Sequence, residues 1–179
     1  MLHTLTVYKN VMAATYPDMF AAGIAYAGVP AGCFKSAADI PAEWNSTCAT
    51  GKSIYTQQQW ANVVKDAYPG YSGPRPKIQI YHGSVDEVLN VQNYYETIKQ
   101  WTGVFGYSTT ATSTTPNFPR SPYTKYVFGD KFQVGCTGTL KFLDELIDIS
   151  TGFPWLWCHS FNRRVSRRRP QMVRFPGKG

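Results

Sequence analysis

The stretch 77–89, KIQIYHGSVDEVL, decides the fold. Its first seven residues form a mostly apolar run between the turn-like segment YSGPRP (residues 71–76) and a glycine, which predicts a buried strand that ends at Gly83. Asp86 follows on the turn beyond the strand, four residues after His82. Functional groups collect at the carboxyl ends of parallel strands, so Asp86 is a candidate acid that orients a histidine. The alternatives are an aspartate that caps its own loop and a histidine hydrogen-bonded beneath the sheet.

Helical patterns alternate with strand patterns along the chain. The segment 56–69 begins with a Thr cap, and 91–106 has the spacing of an amphipathic helix. Strands are predicted over 22–28, 77–83 and 125–131, a helix that ends near Pro17 precedes the first of them, and 108–122 is predicted to be a loop. This alternation favours an α/β fold with a doubly wound parallel sheet. The predicted apolar helix faces comprise Trp60, Val63, Val64 and Ala67, and Tyr94, Ile98, Trp101 and Phe105.

The net charge of +7 comes from the end of the chain. Residues 1–150 carry eleven acidic and eleven basic side chains, and the remaining seven Lys and Arg lie between Arg163 and Lys178. A basic segment appended to a neutral region is not typical of a specific nucleic-acid-binding fold, and none is predicted. No apolar run is long enough to span a membrane. The first residues lack the apolar core of a signal peptide, so the protein is cytosolic or its natural leader is absent.

Cys33 and Cys48 flank a loop-like segment next to a glycosylation sequon at Asn45. A disulfide that closes this loop would contribute about 3 kcal/mol in the chain-entropy model, and the sequon at Asn45 independently suggests a secretory origin. The alternative is a pair of unlinked buried thiols beside a chance sequon. The chain contains three histidines and no cluster of further ligands, so neither a metal site nor another cofactor is expected.

Four phrases carry a resemblance to a known family. They are NVMAATYPDMFAAGIAYAGVPAGCF (10–34), WNSTC (44–48), YPGYSGPRPKIQIYHGSVD (68–86) and QNYYETIKQWTGVFGY (92–107). Over residues 10–133 the chain resembles the C-terminal half of fungal acetylxylan esterases, secreted serine esterases related to feruloyl esterases and polyhydroxybutyrate depolymerases. The resemblance implies a partial α/β-hydrolase fold without its N-terminal strands, an extracellular location, and acetylated xylan or a related plant cell-wall polysaccharide as substrate. It also implies that Asp86 is the acid of a Ser-His-Asp triad.

The other two members of that triad are not found. The family's serine lies in a Gly-x-Ser-x-Gly turn directly before NVMAATYPD, where this chain has no serine but reads MLHTLTVYK, with His3 near the expected position. The family's base histidine follows the last strand, and here only His159 is present, in an unrelated setting. Read one nucleotide later, the codons of residues 155–160 permit Gly-Tyr-Gly-Val-Thr-His, which resembles the family sequence at that point. We therefore expect no esterase activity from this chain alone.

The family implies one further site residue and three segments. Trp44 matches an aromatic wall beside the acyl pocket, although covering its own loop is an equal alternative. Residues 1–9 are expected to be a non-family N-terminus, 10–133 a partial α/β-hydrolase domain, and 134–179 an aberrant, disordered basic tail. The protein is expected to be a monomer or to aggregate. Two other functions stay open: an inactive carbohydrate-binding or interaction protein, and a protein that binds acidic polymers through its tail.

Overall fold

The strand predicted over 77–83 lies inside a mixed sheet. The computed structural model describes residues 2–35 and 44–137. The helices and strands in this part of the chain are α1 (Leu2–Thr15), β1 (Ala22–Tyr26), α2 (Ser46–Ala49), α3 (Gln57–Asp66), β2 (Lys77–Gly83), α4 (Gln92–Phe105), β3 (Ser113–Pro116), β4 (Tyr123–Phe128) and β5 (Phe132–Thr137). The strand order across the sheet is β1-β2-β5-β4-β3. Strands β1, β2 and β5 are parallel, whereas β4 and β3 run antiparallel to their neighbours.

The prediction of one final strand over 125–131 is wrong. β4 ends at Phe128, a turn with Gly129 at φ 61° reverses the chain, and β5 begins at Phe132. A positive φ is easily adopted by glycine, so the Gly-Asp pair between two apolar runs is the signal of a hairpin. The segment predicted to be a loop contains β3, which forms because β4 offers it an unpaired edge.

Both predicted segment boundaries, 9/10 and 133/134, fall inside a continuous helix or strand. α1 continues without a break from residue 9 to residue 10, and β5 continues from residue 133 to residue 134. The basic segment and His159 lie outside the described residues, as does any structure that follows β5. β5 is nevertheless part of the sheet, because its residues 132–137 pair with β2.

Helices α1, α3 and α4 form where the sequence predicts helices, whereas the short helix α2 was not predicted. α1 ends at Thr15, two residues before Pro17, because the residue that precedes a proline disfavours the helical conformation. At the start of α3 the Thr56 side chain accepts a hydrogen bond from the Gln59 amide, and the Gln59 side chain accepts one from the Thr56 amide. This capping box satisfies two amides that a helix start otherwise leaves unpaired.

Helices α1, α3 and α4 pack on one face of the sheet. Of the predicted face of α3, Trp60 and Val64 are buried and Val63 is partly buried, but Ala67 is exposed after the helix ends. On α4 the predicted apolar residues are buried or partly buried. The main core cluster is Ala13, Ala14, Ala25, Ala31, Val64, Ile78, Ile80, Tyr94, Ile98, Trp101, Phe128, Phe132 and Val134. Burial of this apolar surface is the main driving force for folding.

The close approach of α3 and α4 depends on a glycine. A Cβ at Gly103 would lie 2.7 Å from the carbonyl oxygen of Gln57 and 3.1 Å from the Cβ of Ala61. Both distances are shorter than van der Waals contact, so any side chain at this position would push the helices apart. The Gln57 side chain uses the proximity, donating to the Thr102 hydroxyl (3.0 Å) and to the Tyr107 carbonyl (2.8 Å).

Glu96 is a fully buried carboxylate between the same two helices. It accepts hydrogen bonds from the indole of Trp60 (2.8 Å), the side chain of Gln92 (2.8 Å) and the amide of Tyr55 (3.2 Å). It also forms an ion pair with Lys99 at 2.7 Å. Burial by itself raises the pKa of Glu96, but these donors outweigh that effect and hold the pKa below its usual value. The carboxylate therefore remains charged inside the protein.

Aromatic side chains occupy the opposite face of the sheet. The rings of Tyr26 and Tyr81 stack at 5.1 Å, and Tyr123 meets Tyr81 edge to face at 6.2 Å. Gly135 in β5 leaves room for this cluster, because a Cβ there would lie 2.7 Å from the Tyr81 ring. Burial, together with the neighbouring Tyr26, raises the pKa of Tyr81 to about 12, although the Gln79 side chain donates to its hydroxyl.

Candidate functional site at the carboxyl edge of the sheet

Asp86 shapes the loop that follows β2. Its amide donates to the carbonyl of Gly83 at 3.3 Å, which closes a turn directly after the strand. Its Oδ1 accepts hydrogen bonds from the amides of Val88 and Leu89, both at 2.9 Å. The carboxylate thus caps its own loop, as the turn alternative predicts. This arrangement also fixes the orientation of the carboxylate.

The second carboxylate oxygen of Asp86 is not used in this way. Oδ2 is buried and has no hydrogen-bond partner in the described part of the chain. A buried carboxylate oxygen that lacks a donor costs free energy, so an oxygen of this kind requires an explanation. It is suited to accept a hydrogen bond from an incoming N–H donor such as an imidazole ring.

The buried side chain of His82 also fixes the loop that Asp86 caps. It is 1% exposed, and its Nε2 lies 2.9 Å from the carbonyl oxygen of Leu89. Because a carbonyl oxygen only accepts, Nε2 carries the proton in this contact. Leu89 is therefore held at its amide by Asp86 and at its carbonyl by His82. That Asp86 orients a histidine stays a prediction, because no imidazole lies within hydrogen-bond distance of either Asp86 oxygen among the described residues.

Two further strands end at this edge. Thr137, the last residue of β5, pairs with Gly83, so the chain that leaves β5 starts beside the Asp86 loop. At the end of β1, the chain turns through Ala27 at φ 48° into the buried segment 28–31. The three parallel strands thus end side by side, at the edge where functional groups collect in open α/β sheets.

Polar side chains from α1 and α4 fix the loop after β1. Gln100 accepts from the amide of Ala31 (2.7 Å) and donates to its carbonyl (3.0 Å), while fully buried itself. Asn10 donates to the carbonyl of Val29 (2.8 Å) and accepts from the indole of Trp101 (3.3 Å). Neither Asn10 nor Gln100 was predicted from the sequence. No local pattern marks a buried side-chain amide such as Gln100, whose partner Ala31 lies 69 positions away.

A disulfide follows this loop. Cys33 and Cys48 are bonded in the structure, with their Cα atoms 5.8 Å apart. The side chain of Asn45 accepts from the amide of Cys48 at 3.0 Å, so the asparagine of the sequon caps the short helix α2. Trp44, directly before it, is 54% exposed, and its ring lies 5.3 Å from that of Phe34. The loop therefore presents an aromatic pair to solvent.

Other site types are not indicated by the described residues. They contain no group of three His, Cys, Asp or Glu side chains that could hold a metal ion. None of the described helices combines the length and the hydropathy that crossing a membrane requires. The side chain of His3 lies among those whose surroundings are not described.

Known proteins share most of this sequence. Over 125 residues, covering 69% of this chain and 41% of the relative, the chain is 61% identical to a probable acetylxylan esterase A of Aspergillus flavus. The chain is a partial homologue of fungal acetylxylan esterases. Acetylxylan esterase A of Aspergillus oryzae is 59% identical over the same length, and a probable acetylxylan esterase A of Aspergillus terreus is 55% identical over 130 residues, or 72% of this chain and 42% of that protein.

The structural comparison gives the same relationship for this acetylxylan esterase homologue. The solved structure of an acetyl xylan esterase from Aspergillus awamori matches with a TM-score of 0.75 and 45% identity, over 81% of this chain and 54% of that chain. The predicted fold class is confirmed, because the mixed sheet with its helices is part of an α/β-hydrolase-type fold. No protein-family model matches. The chain spans about 41% of the length of its A. flavus relative.

Proposed function

We propose that the chain is part of a secreted serine esterase that deacetylates xylan, and that Asp86 is its catalytic acid. The single observation that carries the proposal is the divided carboxylate. One oxygen is fixed by two backbone amides, and the other is buried and has no donor among the described residues, at the edge where three strands end. The printed names of the relatives, acetylxylan esterases, supply the substrate class.

The chemistry defines what the acid has to do. In a serine esterase the serine attacks the ester carbonyl and a histidine accepts the serine proton, while the acid holds the imidazole in the correct tautomer and stabilises its positive charge. A carboxylate with one oxygen free and its orientation fixed is suited to the third role. The sequence contains no Gly-x-Ser-x-Gly motif, and the Nε2 of His82 contacts the Leu89 carbonyl. We therefore propose that these residues alone do not hydrolyse esters.

Purified chain assayed with p-nitrophenyl acetate and with acetylated xylan tests the inactivity. We expect no turnover above that of the Asp86→Ala variant, because the described residues offer neither a nucleophile nor a base to Asp86. Turnover that disappears in Asp86→Ala would contradict this expectation and would assign a complete catalytic site to the chain.

A chimeric enzyme tests the role of Asp86 directly. Residues 10–133 of this chain replace the matching segment in the A. oryzae acetylxylan esterase A, which provides the remainder of the fold. We expect an active chimera whose kcat falls about 10³- to 10⁴-fold on Asp86→Asn, since the amide no longer holds the histidine correctly.

The control variant in the chimera is Asp66→Asn, which removes an exposed carboxylate at the end of α3, at a distance in sequence from the Asp86 loop. Its kcat is expected to stay within about twofold of the unmodified chimera, since surface substitutions away from a site have small effects. A loss below tenfold for Asp86→Asn, in a chimera that is otherwise active and folded, would exclude Asp86 as the acid.

The exposed Trp44 favours a second function, carbohydrate binding without catalysis. An exposed aromatic ring supported from behind by Phe34 provides a flat apolar surface for a sugar ring. If this is the function, the chain sediments with insoluble xylan and Trp44→Ala abolishes the binding. Tyr16→Ala is the matched control, because Tyr16 is 47% exposed directly after the end of α1. Equal binding by the two variants would contradict a role for Trp44.

We also propose that the protein is made for the extracellular space. The support comes from the disulfide between Cys33 and Cys48 and from the sequon, because disulfides persist in oxidising compartments. Expressed behind a leader in a fungal host, the chain is expected to lose apparent mass on treatment with N-glycosidase. An Asn45→Gln variant that shows the same loss of mass would contradict glycosylation at this residue.

A further inference from the structure

A cleft lies at the edge of the sheet opposite to the edge that carries Asp86. Its volume is about 310 Å³, near the lower end of the range of roughly 300–1,000 Å³ for small-ligand sites. It is bounded by the end of α3, the loop before β2, the end of α4 and the turn before β5. The lining side chains that matter here are Lys65, Tyr71, Ser72, Arg75 and Lys131.

The lining of the cleft is basic. Three of the nine lining residues are cationic and none is acidic. Lys65 and Lys131 form no ion pair with a carboxylate of the described chain. The nearby acids are Asp66, which is exposed, Asp18, whose charge acts on Tyr71, and Asp130, which accepts a hydrogen bond from the Tyr107 hydroxyl and whose charge also interacts with that of Lys131. Because neither ammonium group is fixed in an ion pair, both can contact an anionic ligand.

The guanidinium of Arg75 is held in position before any ligand arrives. One of its nitrogens donates to the carbonyl of Ala14 at 3.3 Å, and the group lies over the Tyr71 ring, 5.5 Å from its centroid. The Tyr71 hydroxyl in turn donates to the carbonyl of Pro74 at 2.8 Å, and its ring stacks on Tyr68 at 5.0 Å. The remaining N–H groups of Arg75 keep the planar geometry that suits a carboxylate.

A purely structural role explains only part of this arrangement. Lys65 lies in the last turn of α3, where a cation compensates the helix dipole. Arg75 binds a carbonyl close to the end of α1. Neither explanation applies to Lys131, which belongs to the turn between β4 and β5. The convergence of three cations from separate elements on one cleft is characteristic of an anion site.

We propose that this cleft binds the carboxylate of an acidic saccharide, such as a uronic acid substituent on a xylan chain. The anionic group pairs with Arg75 and the two lysines. The hydroxyl of Ser72, which also lines the cleft, can form a hydrogen bond with a sugar hydroxyl. The choice of a saccharide rests on the proposed function, whereas the preference for an anion rests on the cleft alone. The cleft and the Asp86 loop lie at opposite ends of β2. The cleft therefore anchors the polysaccharide and does not take part in ester hydrolysis.

Amide chemical shifts in ¹⁵N-labelled protein provide the test. The probes are a neutral xylo-oligosaccharide, the same oligosaccharide carrying one glucuronic acid, and inorganic phosphate. We expect the acidic oligosaccharide to shift the amides of residues 71–73 and of Arg75, and to bind at least tenfold more tightly than the neutral one. Its affinity is expected to decrease with salt, as for any exposed ion pair.

Matched double variants identify the cations. Lys65→Gln/Lys131→Gln is expected to weaken binding of the acidic oligosaccharide about five- to tenfold, as two exposed ion pairs are lost. Lys9→Gln/Lys52→Gln removes the same charge elsewhere and is expected to bind as the unmodified protein does. Both pairs of lysines are suitable for replacement because none takes part in the ion pair described for this structure.

Three results would overturn the proposal. Equal affinity for the acidic and neutral oligosaccharides, or equal weakening by both double variants, would exclude an anion site in this cleft. Phosphate that binds as tightly as the acidic oligosaccharide would exclude selectivity for a saccharide. Failure of this site and failure of the proposed esterase are distinguishable, because the Asp86 chimera assay does not depend on the cleft.

Discussion

At the scale of single residues, the geometry of Asp86 shows that a loop cap and the proposed catalytic acid do not exclude each other. Its Oδ1 caps the loop through the amides of Val88 and Leu89, while Oδ2 stays available. The position of Asp86 after a strand was sufficient to predict a turn aspartate there, because strand ends and turn residues are local signals. The division of labour between its two oxygens was not predictable, since it depends on the path of the whole loop.

Glu96 is a residue whose importance only the packing reveals. Replacing it with Ala leaves the Trp60 indole and the Tyr55 amide without an acceptor and removes the partner of Lys99. We expect a loss of about 2–3 kcal/mol in the free energy of unfolding. Urea denaturation at neutral pH measures it. A loss below about 0.5 kcal/mol would show that the buried network does not stabilise the fold.

The lowered pKa of Glu96 adds a pH dependence of known sign. A carboxylate whose pKa is lower in the folded than in the unfolded state contributes stability above its unfolded pKa. That contribution is lost as the pH falls through the folded pKa. The difference in unfolding free energy between the unmodified protein and Glu96→Gln should therefore shrink below the usual carboxyl range. A difference that stays constant from neutral to acidic pH would contradict the shift.

At the scale of elements, α3 and α4 depend both on local sequence patterns and on tertiary packing. The capping box of Thr56 and Gln59 and the apolar spacing of Tyr94, Ile98 and Trp101 are local, and both helices were predicted from them. The hairpin of β4 and β5 was missed because its second strand lies where the resemblance to the family fades. The requirement for glycine at position 103 belongs to tertiary packing alone and has no local signature.

Substitution of Gly103 tests how tightly the two helices pack. Gly103→Val places carbon atoms where Gln57 and Ala61 already lie, and we expect a destabilisation of about 1–3 kcal/mol from overpacking. Thermal or urea unfolding measures the change. Gly70→Val serves as the comparison, because a Cβ at Gly70 meets no atom within 4 Å, although its φ of 77° still causes backbone strain. Equal destabilisation by both variants would argue against a packing effect at Gly103.

At the scale of the whole molecule, the sheet has an open edge at β1. In the described chain β1 pairs only with β2, and no charged residue or proline interrupts it. Exposed apolar side chains surround this edge, among them Met19, Phe20 and Ile24. An unprotected apolar edge strand is a site for association with another chain.

Replacement of Ile24 tests this edge in solution. We expect the unmodified protein to associate with increasing concentration, and Ile24→Lys to reduce the association because a charge on an edge strand opposes pairing. Ile54→Lys provides the control, since Ile54 is 53% exposed in a loop away from the sheet edge. Sedimentation at several concentrations distinguishes the variants. A protein that remains monomeric throughout would contradict the prediction.

The pairing of Thr137 with Gly83 has a practical consequence for protein engineering. Adjacent strands lie about 4.8 Å apart, so a peptide that leaves β5 begins within a few residues' reach of the Asp86 loop. A short designed insert after Thr137 could deliver an imidazole to the free oxygen of Asp86 without any change to β2. With the role that we propose for Asp86, this scaffold already holds the acid of a proton relay, and adding the histidine becomes a matter of designing the loop after β5.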